Sequence, residues 1–598
     1  MDVARFIWKT KYRWSDADGR PEASLAESLM RVAAALAAAE ASAVREVWRE
    51  RYFTLLQNGR FLPGGRILAG AGTGRRVTLF NCFVMGEIED SLDGIFDALK
   101  EGAQTLQQGG GVGYDFSSLR PAGTPARSSG MTASGPVSFM QLWDTMSATL
   151  LSTGTRRGAM MATLRCDHPD IERFVEAKRQ PGALSHFNLS VLVSDAFMQA
   201  VEQDEDWPLV FPAAGLPDLQ GERVMRIWSA ARGEEACVVL RRLPARELWE
   251  RIMRGAYEHA EPGVLFVDRI NRDNNLGWRE RISATNPCGE IPLPAYGACD
   301  LGSLNLVRYV RRPYTPEAYI DLGALEADAS VAVRMLDAVI DVSGFPLPAQ
   351  AREARANRRI GLGLTGLADA LLLAGLDYGS QAARDQASAI MRAVGHAAYR
   401  ASVALAKEKG AFPSFSAEEY LAAPFVARLP QDIREQIAAH GIRNSHCLAI
   451  APAGSISLLA GNVSSGIEPI YSIDQCRRLL DGEGRERELR LVDWACQLWR
   501  NGHPGEPFPD ALTTATELTP AAQLAMQAAL QPYVDNAISK TVNVPSEMPF
   551  ENFRALYERA YELGLKGCTA FRPNETLSGV LATAEPRARC CSAVCEGD

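Results

Sequence analysis

The chain has 598 residues, 47% of them hydrophobic and 23% charged, with a formal net charge of -9. That length exceeds one average domain and buries a large core, while the acidic balance excludes a general polyanion binder such as a DNA-coating protein and leaves mononucleotides open. No run of 18 apolar residues and no signal-peptide core occurs, and twelve cysteines are too sparse for a disulfide scaffold, so the expectation is a cytoplasmic protein with reduced thiols, off the membrane and without a nucleic-acid polymer as partner.

Residues 1–60 are predicted to form an N-terminal helical region. Leu25, Leu29, Val32 and Leu36, then Val44, Val47, Trp48, Tyr52 and Leu55, recur at helical spacing, and Asn58-Gly59 stops the second run. Residues 61–575 then alternate short apolar runs with helical segments, which suggests α/β architecture. The run 78–85 has the length of a buried strand and contains Cys82. Asp90-Ser91 begins a helix, and four glycines among residues 109–113 would let backbone N–H groups approach a ligand, although such turns are common. A helix follows from Val137 through Leu151, another spans 169–177, and a connector, Lys178 to His186, enters the strand 187–191.

Gly361-Leu362-Gly363-Leu364-Thr365-Gly366 matches the dinucleotide-binding fingerprint literally. The preceding Ala354–Arg359 is not a hydrophobic strand, so these glycines are read as letting a helix pack tightly. Residues 447–451 read as a strand leading into Pro452-Ala453-Gly454-Ser455-Ile456-Ser457, a small-residue turn that offers N–H groups and two hydroxyls to a phosphate. A helix over 550–563 precedes Cys568-Thr569-Ala570-Phe571-Arg572. Residues 576–598 are expected to be a flexible tail bearing Cys590, Cys591 and Cys595.

The densest chemistry lies in Asn286-Pro287-Cys288-Gly289-Glu290, which puts a carboxamide, a thiol and a carboxylate within five residues. Pro287, Pro292 and Pro294 exclude regular helix, and an extended or looped backbone turns alternate side chains to one side. Alone, the segment reads better as a surface loop with a stray cysteine. The other thiols, Cys82, Cys299 and the tail set, change that. Histidines are scattered and paired C-x-x-C ligands are absent, so no metal site is expected in the core. A cysteine protease needs one thiol and a histidine base. Two core thiols with a tail dithiol suit a reaction that consumes two electrons by forming a disulfide and is reset by thiol–disulfide exchange.

Over nearly its whole length the chain resembles the ribonucleotide reductases. The resemblance is carried by Asn286–Glu290, Gly297-Ala298-Cys299-Asp300-Leu301-Gly302, Cys82, Arg157-Gly158-Ala159, Phe187-Asn188-Leu189-Ser190-Val191, the 452–457 loop and Tyr533–Asn543. It implies a ten-stranded α/β barrel with a central finger loop. It also implies that Cys288 is the thiyl radical that takes the ribose 3′-hydrogen. Glu290 would take the 3′-hydroxyl proton and Asn286 would bind the ribose hydroxyls. Cys82 would protonate the departing 2′-hydroxyl and then form a disulfide with Cys299. Two tail cysteines, Cys591 with Cys595 or Cys590 with Cys595, would reset that disulfide for a thioredoxin-like reductant; a zinc site shared with another chain is the alternative for the tail. Ala570-Phe571 stands where oxygen-dependent members carry two tyrosines, and the tail does not resemble a glycyl-radical motif. The resemblance therefore points to the adenosylcobalamin-dependent class, without an ATP-cone. By the same resemblance, the substrate, a ribonucleoside diphosphate or triphosphate, would place its phosphates at Ala453, Gly454, Ser455, Ile456 and Ser457. A deoxynucleoside triphosphate effector would meet Asp90, Ser91, Arg120 and Lys178 between two copies of a homodimer. Asp90-Ser91 reads equally well as a helix cap.

Overall fold

The computed structural model describes residues 2–125, 132–150, 159–216, 219–229, 233–480, 485–573 and 581–583. Ten strands share one sheet: β1 (Phe61–Pro63), β2 (Cys82–Val84), β3 (Gly111–Asp115), β4 (Met160–Arg165), β5 (Phe187–Val193), β6 (Gly263–Phe266), β7 (Ala298–Asn305), β8 (Ile360–Thr365), β9 (Thr541–Asn543) and β10 (Gly567–Phe571). Strands β2 to β6 run parallel in that order. A second parallel set runs the other way: β7 is parallel to β8 and antiparallel to β2, and β9 is parallel to β10, which is antiparallel to β6. Backbone bonds carry the second set onward from β8. Leu362 N donates to Cys447 O (2.8 Å), Ala449 N to Leu362 O (3.1 Å) and Ile450 N to Ala537 O (3.2 Å), which leads into β9. The result is two opposed parallel halves facing across a common interior, of the ten-stranded α/β barrel type.

β4 and β5 are buried along nearly their whole length, as strands covered on both faces are, and only Thr163, Asn188, Ser190 and the terminal Arg165 interrupt their apolar residues. Three local expectations need correction. The strand expected over 78–85 is confined to Cys82–Val84, and 447–451 is joined to its neighbours only by isolated bridges. Gly361 to Thr365 lie within β8 and do not ease the packing of a helix; Cβ atoms at Gly361 and Gly363 would lie 2.5 Å from Leu301 Cδ2 and 2.3 Å from Ala449 O. Close backbone approach inside the barrel is what those glycines permit. The glycine-rich turn likewise opens β3.

In the N-terminal region, helix Leu25–Ala37 is capped by Ser24 and buries Leu29, Val32 and Leu36. Helix Arg45–Gln57 buries Tyr52 and Leu55, but Val44 and Val47 face solvent. A buried ion pair, Arg334 Nη2 to Glu40 Oε2 at 2.6 Å, fastens this region to helix Leu322–Val342, and Arg334 also stacks 4.0 Å over the Trp48 ring. Among the described residues no helix is long and apolar enough to cross a membrane.

Candidate active site on the barrel finger

Between β6 and β7 the chain makes a short hairpin, Ala284–Thr285 against Pro292–Leu293, whose turn enters the barrel. Gly289 N donates to Asn286 O at 3.1 Å, and Gly289 sits at φ +84°. Pro287 and Cys288 are thus the two central residues of a tight turn, a place where proline's fixed φ is favourable. The sheet makes room by omitting side chains. A Cβ at Gly113 would lie 1.8 Å from Thr285 O, and one at Gly111 would lie 3.2 Å from Pro287 Cγ. Gly111 and Gly113 therefore accommodate the finger. Both barrel halves hold it: Asn188 Nδ2 of β5 donates to Pro287 O (2.7 Å), and Ala537 N donates to Glu290 O (2.9 Å).

On one side of the finger the predicted groups converge. Cys82 and Cys299 are direct partners in the β2–β7 register. Residues so opposed have Cα atoms ~4.5–5.5 Å apart, within disulfide range. Asn286 Nδ2 lies 3.1 Å from Cys82 Sγ, and its Oδ1 accepts from Ile291 N at 3.0 Å, which fixes the amide. Cys82 Sγ lies 3.9 Å from Glu290 Oε1. Cys82, Cys299, Asn286 and Glu290 are all at most 3% exposed, whereas Cys288 is partly open. Burial, then the charges of Glu290, Cys299 and Cys288, push the Cys82 thiol well above its usual range, so it is a proton carrier and not a thiolate. Burial likewise raises Cys299, beside the fully buried Asp300. Glu290 is raised to about 7 by burial, against the lowering pull of Asn286 and Cys82, and its Oε2 has no hydrogen-bond partner. A carboxyl poised near neutrality with a free oxygen suits proton exchange with a hydroxyl.

The other side of the finger opens on a cleft of about 100 Å³ that reaches solvent. Cys288 and Gly289 form one wall; Ser190, Ser539, Thr569, Ala570 and Phe571 face them. The absence of a phenol at 570–571 therefore occurs right beside the thiol. The lining supplies several hydroxyls, from Ser190, Ser539, Thr541 and Thr569.

The remaining predicted residues are more dispersed. Ser455 and Ser457 lie buried in the short helix Gly454–Leu459, with Ala453 at its start, Ala453 N donating to Ser465 Oγ (2.7 Å) and Ser457 Oγ to Gly454 O (2.9 Å). Lys11 of the N-terminal region reaches this loop and donates to Ser455 Oγ. Nothing near Lys11 in the sequence marks it, because its partner is 444 positions away. Asn81 was also overlooked: its buried Oδ1 is unpartnered next to Cys82. Asp90 and Arg120 are brought together, Nε to Oδ2 at 2.9 Å, and Ser91 caps helix Leu92–Gln107 by accepting from Gly94 N. Lys178 has its partners elsewhere, in Glu261 Oε2 (2.7 Å) and the Phe187 carbonyl. Cys590, Cys591, Cys595 and Arg157-Gly158 lie outside the described residues.

Residues 80–571 match the ribonucleotide reductase barrel domain and residues 2–76 the ribonucleotide reductase all-alpha domain. A vitamin B12-dependent ribonucleoside-diphosphate reductase of Mycobacterium tuberculosis (strain CDC 1551 / Oshkosh) is 40% identical over 97% of this chain and 80% of its own length. One of the same description from Thermoplasma acidophilum is 34% identical over 90% and 67%. The ribonucleoside-diphosphate reductase large subunit of Caenorhabditis elegans is 30% identical over 68% and 54%. With these matches laid over a finger that brings Cys288 beside Cys82, Cys299, Glu290 and Asn286, the chain belongs to the ribonucleotide reductase family.

Proposed function

We propose that the protein reduces ribonucleoside diphosphates to 2′-deoxyribonucleotides with adenosylcobalamin as radical source. The observation that carries this is the convergence of Glu290, Asn286, Cys299 and the finger cysteine on the Cys82 sulfur. Relatives described as B12-dependent diphosphate reductases and the phenol-free wall at Ala570-Phe571 support the choice of cofactor and substrate. When bound in the cleft, the cobalamin supplies a carbon-centred radical by homolysis of its cobalt–carbon bond.

Cys288, which lines the cleft and lies near enough to Cys82 to act on its thiol electrostatically, takes the ribose 3′-hydrogen and later returns it. Glu290 accepts the 3′-hydroxyl proton and Asn286 fixes the ribose hydroxyls. Cys82, kept protonated by its surroundings, gives its proton to the leaving 2′-hydroxyl, and the electrons come from closing the Cys82–Cys299 disulfide. The buried strand interior keeps water from the radical. The 453–457 loop, with Lys11, takes the substrate phosphates. Cys590, Cys591 and Cys595 supply the pair that reopens the disulfide for a thioredoxin-like donor. The Asp90–Arg120 corner takes a deoxynucleoside triphosphate. A second copy of the chain covers the exposed Leu92 and Phe96 beside it and Leu142 on helix Pro136–Thr149.

The test is an anaerobic assay of purified protein with a ribonucleoside diphosphate and a small dithiol, with and without adenosylcobalamin. Deoxynucleotide is expected only with the cofactor; turnover without it removes the cobalamin assignment.

A further inference from the structure

The finger turn contains one peptide plane whose direction its own closing bond leaves open. Gly289 N donates to Asn286 O at 3.1 Å, which closes the turn around Pro287 and Cys288, and the proline ring fixes the φ of Pro287. The plane between these two central residues carries the Pro287 carbonyl and the Cys288 N–H. A four-residue turn closed in this way has two common forms, related by a flip of that plane. In type I the third residue keeps a negative φ; in type II it takes a φ of about +80°, which suits glycine and strains a residue with a β-carbon. Cys288 is not among the residues at positive φ, so the turn is of type I.

A group from outside the finger grips this plane. Asn188 Nδ2 donates to Pro287 O at 2.7 Å. Asn188 is paired with Met161 of β4, and β5 is bonded to β6 on its other edge from Ser190 onward, so the amide stands on a strand fixed from both sides. The other hold on the turn, Ala537 N to Glu290 O, acts beyond Gly289 and does not touch the 287–288 plane. Asn188, Pro287 and Cys288 line the same cleft.

We propose that Asn188 is the positioning residue of the finger sulfur: by holding Pro287 O it keeps the central peptide in the type I arrangement and so sets the direction in which the Cys288 side chain leaves the backbone. The Cα of Cys288 is the last atom of the gripped plane. A flip would carry Cys288 to positive φ and swing its Cβ and Sγ off their present course. Hydrogen transfer to and from a sulfur tolerates little of this, since a misplacement of about 1 Å at a reacting centre costs about 10²-fold in rate. The hold needs a donor. An alkyl side chain at 188 would leave the carbonyl unheld, and an ionised carboxylate would set two acceptors face to face.

The inference rests on the reductase reading above, and the experiment keeps the two apart. Asn188→Asp and Asn188→Ala are assayed as full chains with a ribonucleoside diphosphate, adenosylcobalamin and a small dithiol between about pH 6 and pH 8. Both are expected to lose about 10²-fold in kcat at the upper end, with the KM for diphosphate within about twofold of the unaltered value. The aspartate form adds a signature that a merely structural loss lacks. Its carboxyl, half-buried and facing a carbonyl, donates to Pro287 O only when protonated. Its rate relative to the unaltered protein is therefore expected to rise about fivefold from the upper to the lower pH, while the ratio for the alanine form stays level. Alkylation of Cys288 by iodoacetamide, followed by mass spectrometry without cofactor or substrate, is expected to change about threefold or more in the alanine form. A kcat within about threefold of the unaltered value in both variants, a loss confined to KM, a level ratio in the aspartate form or an unchanged alkylation rate overturns the assignment. Absence of deoxynucleotide from the unaltered protein removes the reductase reading, and the alkylation rates then decide on Asn188 alone.

Discussion

The two sides of the finger are built on opposite principles. Toward Cys82 the interior is crowded and dry, and its proton-carrying groups are pushed by burial toward neutral forms. Toward Phe571 the wall is small, hydroxylated and open to solvent. A radical source as large as a corrin needs an open approach, whereas a ribose radical needs exclusion of water and a fixed supply of protons. Only one turn of backbone separates the two environments, and Cys288 is the side chain common to both. On the proposed mechanism, the difference partitions generation and use of the radical in space, with one sulfur as the exchange point.

That partition can be broken most severely at the shared atom. Cys288→Ser is expected to lower deoxynucleotide formation by more than about 10⁴-fold, because an alkoxyl hydrogen is not exchanged at useful rate, while calorimetry still shows cobalamin binding in the cleft. Glu290→Gln acts on the dry side alone, with a loss of about 10²–10⁴-fold, the range for a positioned general base. The sign of its pH effect follows from its raised pKa. Below about 7 the carboxyl is protonated and cannot accept the 3′-hydroxyl proton, so the rate rises with pH through that value. A pH–rate profile of the glutamine form should lack this limb. Conversely, filling the cleft with Ser539→Leu is expected to weaken cobalamin binding roughly tenfold and to leave the limb near 7 in place. The smallest effect is expected from Lys11→Met, a rise in the KM for diphosphate of about fivefold with kcat little altered, the sign of lost uniform binding.

Local sequence revealed the finger because proline, glycine and three reactive groups are contiguous there. The thiol pair came only with the family resemblance, and the β2–β7 register sets Cys82 and Cys299 opposite one another. What escaped was whatever depends on distant partners. The β8 glycines looked like helix-packing residues because their need for close approach comes from Leu301 and Ala449, far along the chain. Gly111 and Gly113 suggested a turn that a ligand could approach, and their neighbour is the finger itself. Val44 and Val47 fit a helical stripe, yet that stripe is wider than the face buried by the neighbouring helices. Lys11, Asn81 and Glu261 carry no local motif; each gains its place from a contact made by tertiary folding.

The missing side chain at residue 113 has a wider consequence. With the Thr285 carbonyl occupying the place of a β-carbon, the finger meets β3 main chain to main chain, and bond lengths and angles there do not vary with composition. The depth at which the sulfur rides is thus set by peptide geometry. Drift among the surrounding core residues can change how firmly the ring is packed and still leave the reactive atom at the same height, whereas even an alanine at 113 would push the whole arm outward.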